Sequence, residues 1–289
     1  MTLPLAIYVL AVLIAALAGA ASGMGLFWKS PGQSYEVVTH RGVTAQIFGR
    51  GLYRDDTVLI GAGFRAQDSV TLFLGCPLLL VAILLSAGGS MAGHLLLVGV
   101  LGYFLYVYAS MAFGAFYNRL FLLYVALTSL SLFLFVASFV SVDRAALGAI
   151  FNSGAPIQPL AVFLIASGLI TLIVWGAPLV AALSKNALPD RLDTYTTPVT
   201  YALDLAVITP STIIAGLLLL QSDPLGIVIA FPLLVLIVLL VPLITLATLF
   251  QRAAGVKFTT AEMIGPVAGF VLLGVLGIVF VVALVSALA

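Results

Sequence analysis

The chain has 289 residues, 63% of them hydrophobic and 7% charged, with a net charge of +1. A soluble domain carries about 25% charged residues, so most of this surface must face lipid, and a net +1 gives no electrostatic attraction to nucleic acid. Apolar runs of about 20 residues without a two-residue period exclude a barrel and predict an all-α, polytopic membrane helix bundle in a single transmembrane domain.

Eight transmembrane helices are expected. The first covers 3–28 and closes on Phe27 and Trp28, an interfacial aromatic pair before Lys29. Its apolar run is too long for a signal peptide, so it reads as a retained helix. Ala15, Gly19 and Gly23 recur at four-residue spacing. Small residues in that rhythm let helices approach closely in lipid, either within the chain or in a homodimer.

Residues 29–67 read as one extramembrane cap loop. YEVVTH and VTAQIFG flank Arg41-Gly42 as a small β-hairpin. TVLIGAGFRAQDSV then reads as an interfacial helix leading into span two. Arg54, Asp55, Asp56, Arg65 and Asp68 are the candidate polar groups of the cap, either as a solvated, ion-paired surface or as a lid over a site.

Span two is read over 68–88, with Asp68 at its N-terminus, where a carboxylate favours the helix dipole. Cys76 is the single cysteine, so the chain has no internal disulfide and no cysteine-based metal cluster. Span three covers 91–115 and span four 119–142. Tyr103, Tyr106, Ser110 and Tyr117 share one face of span three, with Tyr124 one turn into span four. Buried hydroxyls need partners, so this stripe should face protein or a wet cavity.

Span five covers 157–183, and a polar loop follows it. Span six, 198–220, starts at Thr197-Pro198, a cap hydroxyl followed by proline at the first helical position. It contains Asp204, read as the one acidic residue well inside a span. Thr200, Asp204 and Ser211 lie on one face, with Thr197 and Tyr201 close to it. Pro210 cannot donate to the Ala206 carbonyl and should kink the helix one turn beyond Asp204. Span seven covers 224–250, with Pro232 and Pro242 inside, and span eight 263–289, where Gly265 and Gly269 form a GxxxG pair. Pro-Leu-Leu recurs in spans two and seven, but this low-complexity likeness does not establish a repeat.

Ten of the eleven Lys and Arg residues fall in loops after odd-numbered spans, and Arg144 lies on the other side. The positive-inside rule then places both termini outside, in what is expected to be a prokaryotic cytoplasmic membrane. No phosphate-binding loop, dinucleotide fingerprint, HExxH or GxSxG is present. Two histidines, His40 and His94, cannot supply a bis-His haem at mid-membrane. No metal, cofactor or catalytic residue is expected.

A carboxylate in a span costs about 2.5–3.5 kcal/mol on insertion scales, so Asp204 should face the bundle interior. Three readings stay open. The first is a small-solute or cation- or proton-linked transporter, with Asp204, Thr200, Ser211, Tyr106, Ser110 and Tyr103 as its polar cluster. The second is a non-catalytic subunit or scaffold, or a homodimer, joined through Gly19, Gly23, Gly265 and Gly269. The third, less favoured, is an enzyme acting on a lipid or isoprenoid substrate. The lipid bilayer is the one partner common to all three, and nucleic acid is a partner in none.

Overall fold

The computed structural model describes residues 3–288. Eight helices are long and apolar enough to cross a membrane: α1 (Leu5–Phe27), α2 (Val58–Ala87), α3 (Met91–Gly114), α4 (Phe121–Val140), α5 (Ile157–Ser184), α6 (Val199–Leu220), α7 (Pro224–Ala253) and α8 (Thr260–Leu288). The chain is a multi-pass helical membrane protein. Between α1 and α2, β1 (Tyr35–Val38) and β2 (Thr44–Ile47) form the antiparallel hairpin that the alternation predicts, with Tyr35 opposite Ile47 and Val38 opposite Thr44. Gly42 makes its turn at φ 76°, where a side chain would be strained.

Two helix starts and one packing face differ from the sequence reading. TVLIGAGFRAQDSV is not a separate interfacial helix but the start of α2, which begins at Val58 and is capped by the Thr57 hydroxyl, accepting from the Ile60 N–H at 3.4 Å. Arg65 and Asp68 therefore belong to a spanning helix, and Asp68 lies ten residues past its start rather than at its N-terminus. Thr197 caps nothing: α6 begins after Pro198 without a side-chain cap. The packing face of α1 is Ala11, Ala18 and Gly25, with Ala15 and Ser22 beside it. Of the expected trio only Ala15 is used in this way.

Gly19, Gly23, Gly265 and Gly269 meet nothing within 4 Å of an added Cβ. Changing Gly19 or Gly23 to alanine should thus not destabilise the detergent-solubilised chain in thermal unfolding, and by helix propensity should stabilise it by up to about 1 kcal/mol.

Two helices are interrupted in the same way. In α2 the Cys76 N–H bonds back five residues to Thr71, and Pro77 follows. In α6 the Thr209 N–H bonds back five residues to Asp204, and Pro210 follows. Each is a π turn, an extra residue that lets the helix step around a proline with no N–H to give. The expected kink at Pro210 takes this form.

The likeness extends well beyond the turns. The buried residues of α2 after its turn are Cys76, Leu79, Ala82, Ile83 and Ser86. Those of α6 are Thr209, Thr212, Ala215, Gly216 and Leu219, each 133 residues further along. The tight links to the next helix match too: Gly89 and Ser222 have positive φ, and Ser90 and Asp223 cap α3 and α7. Gly93 presses on the Ser86 backbone as Gly226 presses on that of Leu219.

The chain is thus two four-helix halves, α1–α4 and α5–α8. An even number of spans per half makes both enter the membrane from the same side, so their axis of likeness runs along the membrane normal. The halves meet where α3 packs on α7, with α2 against α7 and α6 against α3.

Candidate functional site

Asp204 is the sixth residue of α6, about 8 Å along the helix from its start at 1.5 Å per residue. It lies toward the cap side of the membrane rather than at its middle, and it is half-buried. The Tyr106 hydroxyl donates to its Oδ1 at 2.9 Å, joining the two halves of the chain through a side-chain hydrogen bond. Trp175 lies close to the same carboxylate, and its ring packs on Tyr201 with centroids 4.3 Å apart.

The other residues expected around Asp204 are divided by the π turn. One inserted residue rotates everything beyond it by about 100° relative to an unbroken helix. Ser211 consequently lines an apolar chamber of about 430 Å³, with Gly102, Tyr106, Phe135, Val207 and Pro232. Thr200 and Ser110 line a second recess of about 250 Å³ toward the cap, with Arg191, Tyr195 and Tyr201. The Ser110 hydroxyl has no hydrogen-bond partner among the described residues. Tyr106 lines the apolar chamber, whereas Asp204 lines neither hollow. Tyr103 turns away and bonds to the Thr71 hydroxyl at 3.0 Å. Tyr117 is exposed and stacks obliquely on Phe121.

A second intramembrane carboxylate corrects the reading of Asp204 as the only one. Asp68 is 2% exposed, and Tyr53 from the cap donates to its Oδ2 at 2.6 Å. Tyr124, Tyr108 and Ser22 close around it, all buried. Sequence reasoning placed Asp68 at the N-terminus of span two, among the polar groups of the cap; Asp68 and Gln67 are in fact on the buried side of α2. A period of 3.6 in the buried positions Phe64, Gln67, Asp68 and Thr71 was the signal available.

The cap candidates separate as well. Arg54 and Asp55 form an exposed pair at 3.5 Å, worth little in water. Arg65 donates to the Leu26 carbonyl at 3.4 Å. Asp56 is 1% exposed and does most to dock the loops. Its Oδ1 accepts from the Phe116 N–H at 3.0 Å and from the Tyr195 hydroxyl at 2.8 Å, tying cap, α3–α4 connector and α5–α6 loop together. Burial pushes the Asp56 carboxyl up to about 7, against the opposing effect of those two hydrogen bonds.

No protein-family model matches the chain, and no curated protein or solved structure matches it either.

Proposed function

We propose that the chain is a transporter for small solutes with an apolar body, linked to proton movement through Asp204. The observation that carries this reading is the paired interruption of α2 and α6, each within a turn of an intramembrane aspartate, in two parallel halves. Parallel repeats and broken helices beside polar groups are how several transporter classes let one half move against the other. The chemistry of the α6 site fits a proton carrier. Asp204 has a neutral hydroxyl donor and no hydrogen-bonded or ion-paired cation among the described residues, so its charge can change without breaking an ion pair. The chamber beside Tyr106 offers mostly apolar side chains, and Ser211 and Tyr106 supply its polar end.

The test is transport in proteoliposomes containing a pH-sensitive dye, offered a panel of hydrophobic amines and neutral apolar solutes. A carried solute should shift the internal pH with the wild type. Asp204→Asn, which keeps the shape but cannot titrate, should lower that response about 100-fold, within the usual range for loss of a proton-transferring group. A panel that leaves wild-type and empty vesicles alike, or an Asn variant as fast as wild type, overturns the reading.

A subunit role is the second reading, supported by Gly19, Gly23, Gly265 and Gly269, which leave helix surfaces with no intrachain neighbour close by. Stoichiometric partners retained in mild detergent would favour it over transport by the chain alone.

A further inference from the structure

The Asp68 cluster, independent of the Asp204 site, has the composition of a cation cage. Five oxygen-bearing side chains converge, from α1 (Ser22), the cap (Tyr53), α2 (Asp68), α3 (Tyr108) and α4 (Tyr124), each 2% exposed or less. Only one contact is short. The 2.6 Å from the Tyr53 hydroxyl to Asp68 Oδ2 is the length of a hydrogen bond to an ionised carboxylate. The others are long: 3.5 Å between the Tyr53 and Tyr124 hydroxyls, and 3.4 Å from the Tyr108 hydroxyl to the Ala18 carbonyl. Ser22 Oγ stands close to both Asp68 and Tyr108, yet it makes no hydrogen bond within normal geometry. It is a buried hydroxyl directed into the cluster with no partner among the described residues.

A buried carboxylate without an opposite charge costs several kcal/mol. Arg65, the nearest basic residue on the same helix, bonds to Leu26 instead, and Asp68 belongs to neither ion pair of the described residues. The surrounding donors are hard oxygens, and one carboxylate balances one positive charge. Tyr108 directs its proton at Ala18, which leaves its lone pairs free toward the cluster. The space is small, because a Cβ at Gly25 would strike the carboxylate and come within 2.8 Å of the Tyr53 hydroxyl.

We propose that Ser22, Asp68, Tyr108 and Tyr124 bind one sodium ion, and that Tyr53 closes the site from the cap. The ion neutralises Asp68, draws the long contacts inward and fastens the cap to α1 and α2. The chemistry at Asp204 is not needed for it.

The experiment is equilibrium binding of ²²Na⁺ to the purified full chain in detergent. Wild type should show one saturable site, and potassium should compete weakly. Ser22→Ala removes a hydroxyl that makes no other hydrogen bond, so the variant should stay folded and monodisperse while its affinity falls about tenfold or more, on the scale of other losses at ion sites. Asp68→Asn should abolish binding, and Asp204→Asn should leave it unchanged even where transport is lost. Lack of saturable binding by monodisperse wild type, or unchanged affinity in Ser22→Ala, overturns the proposal. So does an infrared band of a protonated carboxyl in sodium-containing buffer that Asp68→Asn removes, because a proton would then be the counter-charge.

Discussion

Gly93→Ala should lose about 3 kcal/mol of stability or more, the upper range for forcing a methyl group into a packed interior. Its Cβ would lie 2.6 Å from the Leu85 carbonyl carbon and 2.7 Å from the Ser86 nitrogen. Both are backbone atoms of the helix that has just turned, so no rotamer change relieves the contact. Gly226→Ala repeats the test in the second half of the chain. There the added carbon would lie 2.8 Å from the Leu219 nitrogen and 3.1 Å from the Ala215 carbonyl oxygen, a slightly looser fit. The loss at Gly226 should be of the same kind and somewhat smaller. Thermal unfolding of the solubilised variants measures both. A loss under about 0.5 kcal/mol at Gly93, as at an open surface site, would show that the α2–α3 link is not as tight as described.

Asp56→Asn should stabilise the protein at pH 8 and leave it nearly unchanged near pH 4. The folded carboxyl titrates at about 7, against 3.8 for the ordinary group. Between these values the folded chain holds a proton that the unfolded chain releases. The stability this group contributes is therefore full below 3.8, falls as pH rises to about 7, and is flat above it. Asparagine keeps an oxygen for the Phe116 N–H and the Tyr195 hydroxyl and carries no charge, so the pH slope should disappear. Asp56→Ala behaves differently. It leaves two buried donors without an acceptor and should cost about 2–6 kcal/mol near pH 4, roughly 1–3 for each donor, a cost that shrinks as pH rises because the wild type itself loses stability there. Melting temperatures at several pH values check the slope, and tryptic cleavage at Arg41 or Arg50 reports release of the cap. An Asn variant with the wild-type slope would remove Asp56 as its source.

The number of spans, the hairpin and the Tyr106–Asp204 pairing were legible in the sequence. Each follows from a signal that survives without tertiary context: apolar length, period-two alternation, and a carboxylate among apolar residues with tyrosines at helical spacing. What was lost needed the third dimension. Ser211 and Asp204 share a face only on a regular helix, and beyond the π turn Ser211 lines an apolar chamber that Asp204 does not. Asp68 was hidden because the first residues of α2, with Arg65 among them, read as a separate interfacial helix, which left Asp68 at the start of span two. Tyr53, fifteen residues before Asp68 and in the cap, meets it only because the cap folds back over the bundle.

The repeat was hidden for a different reason. Over the eighteen positions 76–93 only five residues match their counterparts 133 further on: Pro77, Ala82, Leu84, Leu85 and Gly93. In lipid the helices need matching size and backbone approach more than matching chemistry, so Ser86 and Leu219 can occupy one role.

The reciprocal packing, α2 on α7 and α6 on α3, has the form of an isologous contact, in which each partner offers the other the same patch. Two identical four-helix subunits would meet across such a seam as a C2 dimer, and residues 141–156 act as the tether that makes it one polypeptide. Fusion frees each copy to diverge, because a change need no longer suit both sides of the axis. The two aspartates show this: the counterpart of Asp204 in the first half is Thr71, and that of Asp68 in the second is Tyr201. A symmetric dimer would carry two equal sites, whereas the tethered chain can hold one carboxylate sealed and the other open.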